Sequence, residues 1–278
     1  MTDLGSKRRL LDATCEIAYR AGSAILEVYG RADIVVERKS DDSPLTEADR
    51  VSHDIISREL AKLDSRIPIL SEESLPADHA TRRAWTRYWL VDPLDGTKEF
   101  LKRNGEFTVN IALVEAQRAV LGAVYAPVLK RMYSGVVGMG AWRADRGGPP
   151  QPIAVRAHAA VPLRVVGSRS HPTPELAAYL KALPEHDMTD MGSSLKICLV
   201  AEGVADIYPR LGPTSEWDTA AAQAILESAG GRMIDEGGRS LRYNSKDALL
   251  NPHFLAFGDQ RRDWLAPIQN TRGLQSRY

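Results

Sequence analysis

The sequence predicts a mixed fold, with an α+β first half over residues 1–150 and an α/β second half over residues 151–278. Three observations carry this. Strand-forming runs crowd into the first half at 67–70, 88–92, 107–115, 119–126 and 131–143, after two N-terminal helical stretches. In the second half, helix-rich segments at 173–183, 193–203 and 218–230 interleave with strands near 163–168, 205–208 and 253–258. The 278 residues, 44% of them hydrophobic, suffice for a real core in one large domain or two intimately packed ones. There is no internal repeat or low-complexity tract, and residues 145–152 read as a linker.

Lys7-Arg8-Arg9 followed by Leu10-Leu11 briefly suggests a signal peptide. Asp12, Glu16, Arg20 and Glu27 interrupt the apolar stretch and spread it over helical spacing, so a packing helix is the better reading. Val51-Ser52-His53-Asp54-Ile55-Ile56-Ser57-Arg58-Glu59-Leu60 suits a second amphipathic helix. Ile67-Pro68-Ile69-Leu70 is a short strand that ends at Ser71-Glu72-Glu73-Ser74. Tyr88-Trp89-Leu90-Val91 is a buried strand that stops at Asp92, because Pro93 follows. Leu94-Asp95-Gly96 reads as a tight turn, and Gly96-Thr97-Lys98-Glu99-Phe100-Leu101 opens a short helix with Asp95 near its cap. The Gly96 and Thr97 amides, unpaired at that helix start, favour an anion. Gly135, Gly138 and Gly140 are in the wrong order for a nucleotide loop and lie between two strand-like runs, as in a hairpin. Trp217-Asp218 precedes the strong helix former Thr219-Ala220-Ala221-Ala222-Gln223-Ala224-Ile225-Leu226. The tail from Asn270 is polar, and disorder is expected there.

Lys plus Arg and Asp plus Glu are equal at 36 each, so no global field draws the chain to a nucleic acid polymer, and a small charged ligand must be gripped locally. No apolar run is long enough to span a bilayer, although peripheral membrane association stays open. Two cysteines without a CxxC pattern, Cys15 and Cys198, fit buried thiols in a reducing cytoplasm. The six histidines lack ligand spacing, which disfavours zinc.

Five acidic residues and one threonine stand in distinctive contexts: Asp49 in Leu45-Thr46-Glu47-Ala48-Asp49, Glu72, the run Asp92-Pro93-Leu94-Asp95-Gly96-Thr97, and Asp218 in Glu216-Trp217-Asp218. Two carboxylates beside an anion cradle make little sense without a cation, since they repel each other and the anion. Oxygen ligands with no convergent His or Cys suggest a hard ion, Mg²⁺ by preference. Each context also has an ordinary reading. The central run can be a solvated Asx turn, Glu72-Glu73 a solvated acidic pair, Asp49 a first-turn residue and Asp218 a helix cap.

Taken together, the Asp92–Thr97 run and the downstream Trp217-Asp218 resemble the inositol monophosphatase superfamily of Mg²⁺-dependent, lithium-sensitive phosphatases. The likeness covers roughly residues 39 to 231. Within that superfamily, Gly192-Ser193-Ser194-Leu195-Lys196-Ile197-Cys198, the run from Asp206 to Thr214, and Glu216 are most similar to the bacterial 3′(2′),5′-bisphosphate nucleotidase branch. The resemblance implies a layered αβαβα sandwich. It also implies that Glu72, Asp92 and the Leu94 carbonyl hold one Mg²⁺ while Asp92, Asp95 and Asp218 hold a second, and it leaves a third, loosely held ion near Glu72 open. Asp49 and the Thr97 hydroxyl would orient and help deprotonate the metal-activated water that attacks phosphorus directly, without a phosphoenzyme. The Gly96 and Thr97 amides would meet the phosphate that leaves. Ser193, Lys196 and Arg210 would bind the nucleotide and its retained 5′-phosphate, with His171 near the base. The implied substrate is adenosine 3′,5′-bisphosphate or its phosphosulfate analogue, with a place in sulfate assimilation; a homodimer stays open.

The same chemistry on inositol phosphates or fructose 1,6-bisphosphate is the nearest rival, against which Ser193-Ser194-Leu195-Lys196 and Glu216 argue. Phosphatases with an Asp nucleophile carry D-x-D-G-T, whereas this chain has D-x-x-D-G-T. A non-catalytic metal-binding scaffold is disfavoured by the presence of all six residues.

Overall fold

The computed structural model describes residues 4–32, 36–38, 44–74, 77–168 and 173–268. His171 and the tail from Asn270 therefore lie outside the described residues. In chain order the elements are α1 (Leu4–Tyr29), β1 (Val36–Arg38), β2 (Pro44–Thr46), α2 (Glu47–Leu63), β3 (Ile69–Ser71), α3 (His79–Arg82), β4 (Arg87–Asp95), α4 (Thr97–Leu101), β5 (Thr108–Glu115), β6 (Arg118–Ala126), β7 (Arg131–Val136), β8 (Gly140–Asp145) and β9 (Gln151–Ile153). They continue with β10 (Leu163–Gly167), α5 (Pro174–Ala182), β11 (His186–Asp190), α6 (Leu195–Ala201), β12 (Ile207–Arg210), α7 (Glu216–Ser228), β13 (Arg232–Asp235) and β14 (Phe254–Phe257).

β3 to β9 form a seven-stranded sheet in sequence order, with β3 parallel to β4 and every later neighbour antiparallel. The second sheet has the order β11-β10-β12-β14-β13 and mixes parallel and antiparallel pairs. β1 and β2 make a separate antiparallel pair.

The strands of the first sheet are apolar on both faces because both are covered. Trp89, Val91, Ile111, Leu113 and Tyr125 pack with Ile17, Ala21 and Ile25 of α1 and Ile56 and Leu60 of α2. The alternate residues Tyr88, Leu90, Ala112, Val124 and Tyr133 face α6 and α7. The second sheet repeats the device: Val166, Tyr208, Phe254 and Ala256 join the core of α6 and α7, while Val165, Ile207, Leu255 and Phe257 pack with Tyr179 of α5 and with Trp264. The layers are thus helix, sheet, helix, sheet, helix. Each large side chain fully buried in this way contributes roughly 1.5–3 kcal/mol.

α7 reaches its sheet closely because its inner face is small. A Cβ on Gly122 of β6 would sit 2.1 Å from the Ala221 carbonyl oxygen. Only glycine there lets the helix backbone settle against the strand.

Several expectations are corrected. β4 does not stop at Asp92 but runs through Asp95, with a register shift between those two residues, so Asp95 lies in a bulged strand rather than in a tight turn, directly before the Gly96 cap of α4. The expected glycine hairpin within 131–143 is present, as the antiparallel strands β7 and β8. The expected linker at 145–152 holds the start of β9, an edge strand of the first sheet. Cys198 is buried but Cys15 is half-buried, and burial pushes the Cys15 thiol up to about 12. The two lie on opposite sides of the first sheet. No helix among the described residues is long and apolar enough to cross a membrane.

Candidate active site

The carboxylates are delivered by the ends of four elements. β3 pairs in parallel with β4, and the Glu72 amide donates to the Val91 carbonyl at 3.1 Å, placing Glu72 next to the end of β4. Asp92 is 1% exposed, and its Oδ1 accepts from the Leu94 amide at 3.0 Å, an Asx-type bond that folds the chain around Pro93. Three steps on β4, from Asp92 to Asp95, face two steps on β5, from Asn110 to Thr108, and this extra residue turns Asp95 toward Thr108 and Asn110. Gly96 follows at φ 94°, a conformation open to glycine, and α4 begins at Thr97.

Asp49 and Asp218 occupy equivalent places, the third residue of α2 and of α7. Asp49 Oδ2 accepts from the Thr46 amide at 2.7 Å and the Thr46 hydroxyl at 2.6 Å, and Asp218 Oδ2 accepts from the Ser215 amide at 2.9 Å. Each acid closes a capping box with the cap residue before it, Thr46 or Ser215. The cap fixes one oxygen of each, and Asp49 Oδ1 accepts from the Thr97 hydroxyl at 3.4 Å. That hydroxyl lies equally close to the Leu94 carbonyl. Ser52, one turn along α2, donates to the Pro93 carbonyl at 2.7 Å and ties the helix to the bulge.

Glu72, Asp92 and Asp218 each present an oxygen within 4.8 Å of the others, an arrangement that can hold a metal ion. Burial, followed by the charges of Glu72, Asp95 and Asp218, pushes the Asp92 carboxyl well above the usual carboxylate range. Burial and the nearby charge of Asp95 raise Asp218 to about 8. Asp95 is also raised by burial, against the pull of Lys196 and of bonds from Ser194 and Asn110. Such mutual repulsion in an oxygen-only donor set suits a hard cation, so these residues fit the expected metal.

The acids face a cavity of about 260 Å³, whose lining includes Glu72, Asp92, Asp95 and Asp218 together with Lys196 and Arg210. Leu94, Gly96, Thr97 and Ser193 also line it, while Asp49 lies behind and meets it through Thr97. Lys196 Nζ donates to the Ser193 carbonyl at 2.6 Å and the Met191 carbonyl at 3.3 Å and lies 5.5 Å from the Tyr208 ring centre. Burial lowers its pKa to about 8, with Asp95 pulling the other way. Arg210 donates from Nη2 to the Pro213 carbonyl, and its buried Nε has no partner among the described residues.

Glu216 stands apart from this group. It is fully buried, with Oε2 accepting from the Asn244 amide at 2.7 Å and Lys246 3.5 Å from Oε1, so its side chain serves the packing of the loop beside α7. Thr108 and Asn110 were not among the residues expected at the site, and Tyr208 entered only as part of the run from Asp206 to Thr214. Thr108 and Asn110 carried a signal, since they are polar residues two apart on one face of an otherwise apolar strand.

The sequence matches the inositol monophosphatase family over residues 6–268. The chain belongs to that family. It is 52% identical to the 3′(2′),5′-bisphosphate nucleotidase CysQ of Salmonella typhimurium, over 88% of this chain and 98% of that protein. It is 36% identical to the CysQ of Haemophilus influenzae over 94% of this chain and 97% of that protein. The crystal structure of CysQ from Bacteroides thetaiotaomicron superposes with a TM-score of 0.79 at 41% identity, covering 92% of this chain and 98% of that one. An inositol monophosphatase from Anabaena shares the fold at 23% identity, with a TM-score of 0.70 and coverage of 97% and 96%. The layered sandwich is therefore the family's fold, and the nearer likeness is to the CysQ branch.

Proposed function

We propose that this chain is a Mg²⁺-dependent phosphatase that removes the 3′-phosphate of adenosine 3′,5′-bisphosphate, giving AMP and phosphate. The observation that carries the reading is the presence, in the lining of one cavity, of a carboxylate wall and of the cationic pair Lys196 and Arg210. A substrate with one phosphate to lose and another to keep needs both walls. The names of the CysQ relatives supply the nucleotide.

Glu72, Asp92 and the Leu94 carbonyl would hold one Mg²⁺, and Asp92, Asp95 and Asp218 a second, with a third near Glu72 left open. Bound there, Mg²⁺ supplies Lewis acidity toward the phosphoryl group and the attacking water. The Thr97 hydroxyl passes its proton to Asp49 Oδ1 as it takes one from the water at Oγ1; Asp49 Oδ2 is occupied by Thr46, so the proton has one destination. The water oxygen then bonds to phosphorus as the bond to the in-line 3′-oxygen breaks, and the departing 3′-oxygen takes its proton from solvent water. The Gly96 and Thr97 amides meet the phosphate that leaves. Lys196 Nζ, with one hydrogen beyond its two carbonyl bonds, and the unpartnered Arg210 Nε bind the retained phosphate, with Ser193 beside them.

The phosphosulfate analogue is a second substrate of this reading, and we place the enzyme in the cytoplasm, recycling a nucleotide by-product of sulfate assimilation. Phosphate release from adenosine 3′,5′-bisphosphate, inositol 1-phosphate and fructose 1,6-bisphosphate, with Mg²⁺, without it and with added Li⁺, tests the proposal. Preference for the nucleotide that requires Mg²⁺ and is suppressed by Li⁺ is expected. Preference for a sugar phosphate would overturn the substrate, and no release from any of the three would overturn the enzyme.

A further inference from the structure

Asp95 is held differently from the other acids. Its Oδ2 accepts three hydrogen bonds, from the Ser194 amide at 2.6 Å, Asn110 Nδ2 at 3.2 Å and the Thr108 hydroxyl at 3.4 Å, whereas no described residue donates to Oδ1. The donors come from both halves of the chain, since Thr108 and Asn110 lie on β5 and Ser194 precedes α6. Asn110 is itself oriented. Its Oδ1 accepts from the Ser194 hydroxyl at 2.8 Å, which leaves Nδ2 to face the carboxylate. The Ser194 hydroxyl is also 2.9 Å from that of Thr108. All three side chains are at least 96% buried, so the ring is closed to solvent.

Buried polar groups that satisfy one another in this way act as a unit with one arrangement. Here the unit saturates Oδ2, fixes the carboxylate rotamer across the β4 bulge and leaves Oδ1 as the oxygen available to the cavity. The second sphere of a metal ligand does this work elsewhere, and its loss costs about 10- to 100-fold in metal affinity. We infer that Asn110, oriented by Ser194, is a positioning residue that presents Asp95 Oδ1 to the cation. This rests on the assignment of Asp95 as a metal ligand.

The test uses the full chain, stripped of divalent ions, with Mn²⁺ as the probe and free Mn²⁺ read by electron paramagnetic resonance in the absence of substrate. Asn110→Leu should weaken the Asp95-dependent Mn²⁺ site about tenfold or more. Ser194→Ala, which keeps the amide but frees the Asn110 amide to turn, should weaken it less; this variant also carries the test if Asn110→Leu does not fold. In turnover, the half-saturating Mg²⁺ concentration should rise by a similar factor while kcat at saturating Mg²⁺ recovers to within a few-fold, a split that general loosening of the fold does not produce. If Asp95→Asn removes the Mn²⁺ site but both second-sphere variants bind as the parent does, the positioning role is overturned and the proposed function stands. If Asp95→Asn binds Mn²⁺ as the parent does, the ligand assignment falls, and the inference falls with it.

Discussion

The two walls of the cavity are built on opposite principles. The carboxylate wall comes from the ends of β3, β4 and α7, with Asp49 of α2 behind it; Asp49, Asp92 and Asp218 are fixed by backbone amides or capping bonds, and the charges repel one another. The cationic wall is two long side chains, Lys196 and Arg210, folded back onto the carbonyls of their own loops. One wall is rigid and wants a counterion; the other has donors to spare and wants an anion. A chain with no net charge thus keeps a strong local field by gathering both kinds of charge around one cavity of about 260 Å³.

The sharpest way to break the contrast is to remove one charge from the rigid wall. Asp95→Asn should lower turnover by about 10³-fold or more while circular dichroism and thermal melting show a folded protein. A variant that keeps most of its activity would mean that the acids are structural. Next in size, Thr97→Val keeps the shape but removes the hydroxyl that bonds Asp49, and should lower kcat about 10²-fold with little change in KM.

On the other wall, Lys196→Ala should reduce kcat/KM for the bisphosphate about 10- to 100-fold, the value of a charge-assisted hydrogen bond, with a smaller loss for a monophosphate. Equal losses on the two substrates would remove Lys196 from phosphate binding. The smallest effect is in pH. Because burial holds Lys196 at about 8, its ammonium is lost as pH rises through that value, so AMP binding measured calorimetrically should weaken a few-fold between pH 7 and 9. Lys196→Met should flatten this slope, and an unchanged slope would assign it to another group.

Much of the fold was legible because burial on both faces leaves long apolar runs. The strands at 88–92, 107–115 and 119–126 fall within two or three residues of β4, β5 and β6. β11, His186-Asp187-Met188-Thr189-Asp190, was not legible. It is an exposed, polar edge strand whose order comes from its parallel partner β10, and no pattern within it marks a strand. The end of β4 was misread for a related reason. Pro93 signals a stop locally, but pairing with β5 resumes after a bulge that only the neighbouring strand can impose.

By itself, the sequence determined which residue types were present and on what kind of element: acids at strand ends and in first helical turns, a basic pair downstream, apolar periods of two and three to four residues. These are local properties, written in spacing and side-chain chemistry. Only the tertiary structure decided that Glu72, Asp92, Asp95 and Asp218 would meet around one cavity with Asp49 behind Thr97, that Glu216 would turn away from it, and that Asn110 would back Asp95. Those outcomes depend on strand register, on the close seat of α7 at Gly122 and on hydrogen bonds between residues up to 99 positions apart. No local pattern carries that information, because convergence depends on how separate elements pack.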